Sequence, residues 1–350
     1  MNRLASVVLS PLGGLYGVAM KARRSLYRRG LLTKQRVAVP LISVGNLTMG
    51  GTGKTPLVEW VAEQLAAANR RVCILTRGYG RQHPKQRVVV SKGAGVLSDA
   101  EQAGDEAFLL AESLKGRVAV ISDADRGSAA LWAIKNLASD VFVLDDGFQN
   151  LGLARNLDIV TIDATNPWGN RCLLPAGILR EPRGELARAD CVVLTRVDES
   201  QAIRELEREV TELSKGRPVF HSRMKIRGLR AVNAEENVLA AEIKELTVAA
   251  FCGIGNPESF FAQLRRAGYK LGSSEIFRDH HFYTQADIDG LVRRASAAGA
   301  RVILTTAKDE VKLRSLRFDL PCYAVEIGIE IEEENQFRSL IVKALSEARP

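Results

Sequence analysis

Long apolar runs are missing from this 350-residue chain. Its N-terminal stretch LASVVLSPLGGLYGVAM, between Arg3 and Lys21, is uncharged for 17 residues but carries Pro11, Gly13, Gly14 and Gly17. A spanning helix needs about 20 mostly apolar residues, so a transmembrane anchor is not expected here. Paired cysteines are missing too. The five present, Cys73, Cys172, Cys191, Cys252 and Cys322, form no C-x-x-C pair. That argues against a zinc ribbon or a disulfide framework and suits a reducing compartment. With four histidines in all, a multi-histidine metal centre is not expected either. Acidic residues are absent from positions 1–36, which hold eight of the chain's 49 basic residues. The remainder balances 41 basic against 41 acidic side chains, so the net charge of +8 belongs to the N-terminal segment alone. A nucleic-acid partner is therefore not expected from the overall basic character.

Residues 1–36 read as a basic amphipathic segment. A signal peptide would want a small-residue cleavage site, and KARRSLYRRG follows instead. A surface-lying helix fits better: Leu4, Val7, Val8, Leu9, Leu12, Leu15 and Val18 would dip into a headgroup boundary beneath a collar of Lys and Arg facing anionic lipids. A helix packed on the protein's own core with a solvated basic face is the alternative.

Beyond residue 36, continuous apolar runs alternate with helical patterns. The runs VAVPLISV (37–44), RVCILT (71–76), RVAVIS (117–122), VFVLDD (141–146), LDIVTID (157–163) and CVVLT (191–195) predict strands, with helices over Pro56–Ala68, Glu106–Leu114 and Ser128–Ala138 between them. Such alternation predicts an α/β fold, a parallel sheet covered on both faces. A shorter series follows: LTVAAFCGI (246–254), a helix over Pro257–Ala267, RVILTT (301–306) and CYAVEI (322–327). Residues 217–232 alternate and read as a hinge ribbon. At this length two domains are expected: 37–219, and a smaller α/β domain over 220–350 that closes a cleft.

SVGNLTMGGTGKTP (43–56) lies between a strand and a helix and resembles a phosphate-binding loop, although Thr48 stands where G-x-x-x-x-G-K-[ST] has its first glycine. Gly50, Gly51 and Gly53 let backbone N–H groups converge on phosphate oxygens. The helix N-terminus adds partial positive charge. Lys54 can reach the β- and γ-phosphates, and Thr55 can ligate Mg²⁺. Thr48, Met49 and Thr52 complete the predicted ATP loop. Such loops need a carboxylate on the metal, and DDGFQN offers Asp145 and Asp146 at a strand end. GDEAFLLA places Asp105 and Glu106 at a helix start, where Asp105 could simply cap. FRDHHFYT gathers Asp279, His280 and His281, a group suited to proton handling. LTRVD (194–198) and TAKD (306–309) are candidates for holding the nucleotide base.

ISVGNLTMGGTGKTP, RGYGR, GDE, DADR, DDGFQ, LLPAGILREP, GIGNPESFF, DHHFYT and TTAKDEVKL follow one another in the order found in tetraacyldisaccharide 4′-kinases, the lipid A 4′-kinases. From Pro11 to beyond Leu313 the chain resembles that family, whose loop also carries the Thr. The resemblance implies a P-loop NTPase-like domain joined by a short β-ribbon to a smaller α/β domain. It implies phosphoryl transfer from ATP with Mg²⁺ to the 4′-hydroxyl of a lipid A disaccharide 1-phosphate, at the cytoplasmic face of a bacterial inner membrane, by a peripheral enzyme. No obligate protein partner is implied. Carried over, Lys54 and Thr55 bind phosphates and metal, and Asp145 and Asp146 are the metal-side acids. Asp105 receives the sugar hydroxyl proton with His280 as its partner. Arg126 and Arg180 meet the anionic substrate, with Glu106 and Gln149 alongside. Asn150 after DDGFQ and Ala107 after GDE depart from the family pattern and touch fine positioning only. A P-loop ATPase that switches partner or membrane binding without an acceptor is the competing reading, but such proteins usually carry a second lysine early in the loop, and none lies between Lys34 and Lys54.

Overall fold

In the computed structural model of the chain, residues 3–232, 240–279 and 281–346 are described. They divide into two compact units, Met1–Arg223 with Ile329–Pro350, and Met224–Gly328. The first unit contains α1 (Arg3–Arg28), β1 (Leu41–Asn46), α2 (Lys54–Ala67), β2 (Val72–Thr76), β3 (Val88–Lys92), α3 (Ala100–Ala103), α4 (Asp105–Ser113), β4 (Ala119–Ser122), α5 (Arg126–Leu137), β5 (Val141–Asp145), β6 (Leu157–Asp163), β7 (Cys191–Thr195) and α6 (Ile203–Leu213). The chain leaves it along β8 (Val219–Ala231). The second unit holds α7 (Ala240–Lys244), β9 (Thr247–Cys252), α8 (Pro257–Arg266), β10 (Lys270–Ile276), α9 (Gln285–Ala297), β11 (Val302–Thr306) and α10 (Ala307–Glu310). The chain returns along β12 (Cys322–Ile331) into α11 (Glu334–Ser346).

The strand order in the first unit is β8-β7-β6-β1-β5-β2-β4-β3. All neighbours are parallel except the edge pair β3 and β4. All six residues of β1 are buried, as a strand covered on both faces requires. On one face Leu41, Phe142 and Leu144 pack against Ala129, Ala130 and Ala133 of α5. β1 begins only after Pro40, which has no N–H to give a ladder. α2 starts at Lys54 rather than Pro56, because Gly53 turns the chain in a left-handed conformation and Pro56 needs no donor in the first turn. β1 and β5 pair in parallel with Val44 beside Asp145, so the loop after β1 and the turn after β5 open at the same end of the sheet.

In the second unit the order is β10-β9-β11-β12-β8. Val248, Ala250 and Cys252 of β9 face Phe260, Phe261 and Leu264 of α8. The alternate residues Ala249 and Phe251 face Ile288, Leu291 and Ala295 of α9. β8 and β12 form the expected ribbon, closed at its ends by Glu332 N–H to His221 O and Val232 N–H to Cys322 O, each 2.9 Å. The expected boundary at 220–350 is corrected: residues 329–350 belong to the first unit. The cause is Phe337 of α11, fully buried with its ring 5.4 Å from Trp60 and 4.9 Å from Phe220.

α1 is one unbroken 26-residue helix through Pro11. Its face bearing Gly13 and Gly17 lies against Leu173, and Arg24 pairs with Glu185. Leu12, Leu15 and Val18 are 53%, 68% and 65% exposed. No helix among the described residues is long and apolar enough to cross a membrane.

Candidate active site

The loop 47–53 is anchored from below by polar side chains. Asn46 Nδ2 donates to Thr48 O at 2.7 Å and to Thr52 Oγ1 at 3.0 Å. Thr52 Oγ1 lies 2.8 Å from Thr161 Oγ1 on β6. Gly50 at φ 109° and Gly53 at φ 77° occupy the region that favours glycine. Thr48 is not among the left-handed positions. It forms a bridge with Leu179 instead, so the missing first glycine costs the backbone nothing. Gly53, the N-cap of α2, brings no side-chain acceptor, so the first-turn N–H groups stay available to an anion. Met49 is exposed, and its N–H donates to Ile178 O at 2.7 Å. Thr55 sits half-buried in the first turn of α2.

Lys54 Nζ donates to Asn46 Oδ1 at 3.1 Å and pairs with Asp146 at 3.2 Å. Arg180 Nη1 reaches both oxygens of Asp146, at 2.8 and 2.7 Å. Burial alone would raise the Asp146 carboxyl, but Lys54 and Arg180 outweigh it and hold it below the usual range. Asp145 is different. It is 2% exposed, and its Oδ1 is buried without a hydrogen-bond partner. Burial, then Glu106 and Asp146, push its carboxyl up to about 7, against Lys54 and Thr76. A divalent cation fits the chemistry here: a buried carboxylate oxygen without a partner, under the negative charge of Glu106 and Asp146. Asp146 is already neutralised by two cations, so the adjacent aspartates are not equivalent.

Two helix starts converge on the same carboxylates. α4 begins at Asp105, but its N-cap is Gly104 rather than Asp105, so capping does not account for the acid there. The charge of Glu106 is felt at Asp145. Arg126 opens α5 behind its cap Asp125. Its Nη1 donates to Ala124 O at 3.1 Å, and its Nε is buried without a partner. Burial and then Arg77 lower the Arg126 guanidinium, while Asp146, Asp145 and Asp123 raise it. Two guanidiniums whose charges repel one another here suit an anion near both.

Known proteins match this chain over nearly all its length. A family model described as tetraacyldisaccharide-1-P 4′-kinase matches residues 5–346. The chain belongs to this family. A tetraacyldisaccharide 4′-kinase of Desulfotalea psychrophila is 40% identical over 339 residues, covering 95% of this chain and 94% of the relative. One of Geobacter sulfurreducens is 41% identical, covering 92% and 88%. Among solved structures, LpxK from Aquifex aeolicus in complex with ATP is similar at a TM-score of 0.78 and 34% identity, covering 97% of this chain and 99% of that one.

As a kinase of the tetraacyldisaccharide 4′-kinase family, the chain places the remaining predicted residues unevenly. Gln149 Nε2 donates to Asn46 O at 2.9 Å, and its Oε1 is 3.5 Å from Arg180 Nη1, so it braces β1 and Arg180. In the second unit, His280 lies outside the described residues. His281 packs between Phe277 and Tyr283 and is 3.3 Å from Asp287. Asp309 of TAKD is fully buried and accepts from Gly253 N, Tyr283 OH and Thr306 Oγ1 at 3.0, 3.0 and 2.6 Å. Its carboxylate is spent on that staple, so Asp309 itself is not free to hold a base. Reasoning from sequence missed Asn46 and Arg77. Arg77 sits inside RGYGR, whose flanking glycines were the available signal. Asn46 has none beyond its place at a strand end.

Proposed function

We infer that the chain transfers the γ-phosphoryl group of ATP to the 4′-hydroxyl of a tetraacyldisaccharide 1-phosphate, giving lipid IV-A in lipid A biosynthesis. The observation that carries this reading is the cluster at the end of β1 and β5, where Lys54, the open glycine loop and the orphaned Asp145 oxygen meet. Mg²⁺, held by Thr55 and Asp145, would neutralise phosphate charge and orient the triphosphate.

The residues of the chain supply the rest. Asp146 fixes Lys54 in place, and Lys54 with the loop N–H groups stabilises charge on the transferring group. The acceptor oxygen forms a bond to the γ-phosphorus as the bond to the β,γ-bridging oxygen breaks. The hydroxyl proton passes to Asp105. A sugar hydroxyl is far less acidic than a carboxyl of pKa about 4, so Asp105 orients it and takes the proton late in a loose transition state. His280, outside the described residues, is kept as a catalytic candidate on the family resemblance. Arg126, with Arg77, and Glu106 face the anionic disaccharide, while Arg180 and Gln149 hold the site together. α1 lies on an anionic lipid surface at the cytoplasmic face of the inner membrane. Its exposed Leu12, Leu15 and Val18 and its basic side chains provide apolar and electrostatic attraction.

The test follows label from γ-³²P-ATP in the presence of vesicle-borne disaccharide 1-phosphate. Label in the glycolipid is expected. Label released only as inorganic phosphate would replace this reading with a switch ATPase.

A further inference from the structure

LTRVD, a candidate for holding the nucleotide base, also reaches the phosphate loop. Arg196 follows the last residue of β7 in a left-handed conformation, φ 56° and ψ 41°. A non-glycine residue there is uncommon and persists only when its surroundings impose it. Its side chain is 13% exposed. Its Nη1 donates to the carbonyl of Gly51 at 2.9 Å and to Asp163 Oδ2 at 2.5 Å. Asp163 is aimed in turn by Thr165, whose N–H and Oγ1 donate to its Oδ1 at 3.0 and 2.7 Å. The preceding residue, Thr195, donates its hydroxyl to the carbonyl of Thr52 at 3.1 Å. Two successive carbonyls of the loop are thus held from the end of β7.

In a trans peptide the N–H points opposite to the C=O. Fixing the Gly51 and Thr52 carbonyls toward β7 turns the N–H groups of Thr52 and Gly53 to the other, inner side of the loop. Thr52 N–H is taken by Gly50 O at 3.1 Å, which leaves Gly53 N–H as the donor that the Thr52 carbonyl contact aims. We propose that Arg196 and Thr195 are positioning residues for ATP: they hold the loop in the shape that presents its backbone, Gly53 N–H foremost, to the phosphates without touching the nucleotide. This rests on the ATP reading above.

Arg196→Gly is the discriminating variant, because glycine suits the left-handed backbone while the strut is lost. ATP affinity, measured by calorimetry and as KM, is expected to weaken about 10-fold or more, the equivalent of one hydrogen bond from a charged donor. The KM for the disaccharide should not rise with it, whereas the melting temperature of the nucleotide-free protein is no criterion, because Asp163 loses its partner. Arg196→Lys should recover part of the loss, since an ammonium can still reach one carbonyl, and Thr195→Val should show a smaller loss of the same kind. Unchanged ATP affinity in Arg196→Gly overturns the proposal. So do ATP and disaccharide affinities reduced in step, which would mark a merely structural role. Failure of the wild-type protein to bind ATP would instead defeat the parent reading.

Discussion

Replacing Asp145 with Asn should stabilise the metal-free protein while abolishing its response to magnesium. Raising a carboxyl from its ordinary 3.8 to about 7 makes its ionised form in the fold cost about 4 kcal/mol at most. The sign follows from proton binding. Between those two values the folded state holds a proton that the unfolded state has released, so stability falls as pH rises from about 4 to about 7 and is flat above. Asn is nearly isosteric and does not ionise. The difference in stability between Asp145→Asn and wild type, in EDTA, should therefore grow from near zero at pH 4 to about 2–4 kcal/mol at pH 8. At roughly 2 °C per kcal/mol for a unit of this size, thermal melts across that range resolve it. Millimolar MgCl₂ with ADP should then raise the wild-type melting temperature at pH 8 and leave the variant where it was. Groups that do not interact with Asp145 cancel in the difference. A pH-independent difference, or a variant that still gains stability from magnesium, would refute the assignment of Asp145 as the buried, cation-requiring acid.

Asp105→Ala should lower kcat by about 10²–10⁴-fold with little change in ATP affinity; steady-state kinetics with varied ATP would show unchanged turnover if the residue has no role in proton transfer. Triple replacement of Leu12, Leu15 and Val18 by Ser removes exposed apolar surface without touching the core, so vesicle cosedimentation should fall about 10-fold or more. Activity on detergent-dispersed substrate should persist, and parallel loss of both would assign α1 a folding role. Phe337→Ala empties a site between Trp60 and Phe220 and should cost about 3–5 kcal/mol in denaturant titrations of the first unit; a loss below about 1 kcal/mol would contradict the placement of α11.

The parts of the fold legible in the sequence are those whose cause is local. β6 and β7 appear where LDIVTID and CVVLT stand, residue for residue, because a fully buried parallel strand is a continuous apolar run. The phosphate loop was legible because glycine, lysine and a following helix act within a few residues. Long-range pairing was not. Nothing in DDGFQ says that Lys54 and Arg180 both settle on Asp146 and leave Asp145 with an unpartnered oxygen. That depends on how β1, β5 and the 171–181 segment meet. LTRVD and TAKD looked alike as short polar motifs at strand ends, yet one braces the loop and the other is buried in a staple. α11 was missed as part of the first unit because its sequence shows an amphipathic helix without naming the surface it covers.

The return of residues 329–350 to the first unit has a topological consequence. The chain crosses between the units twice, along neighbouring strands, with Glu332 N–H bonded to His221 O at 2.9 Å. The second unit is therefore an insertion into a loop rather than an appended C-terminal module. A short turn linking Arg223 to Ile329 would leave the parallel sheet and α11 of the first unit on one continuous chain.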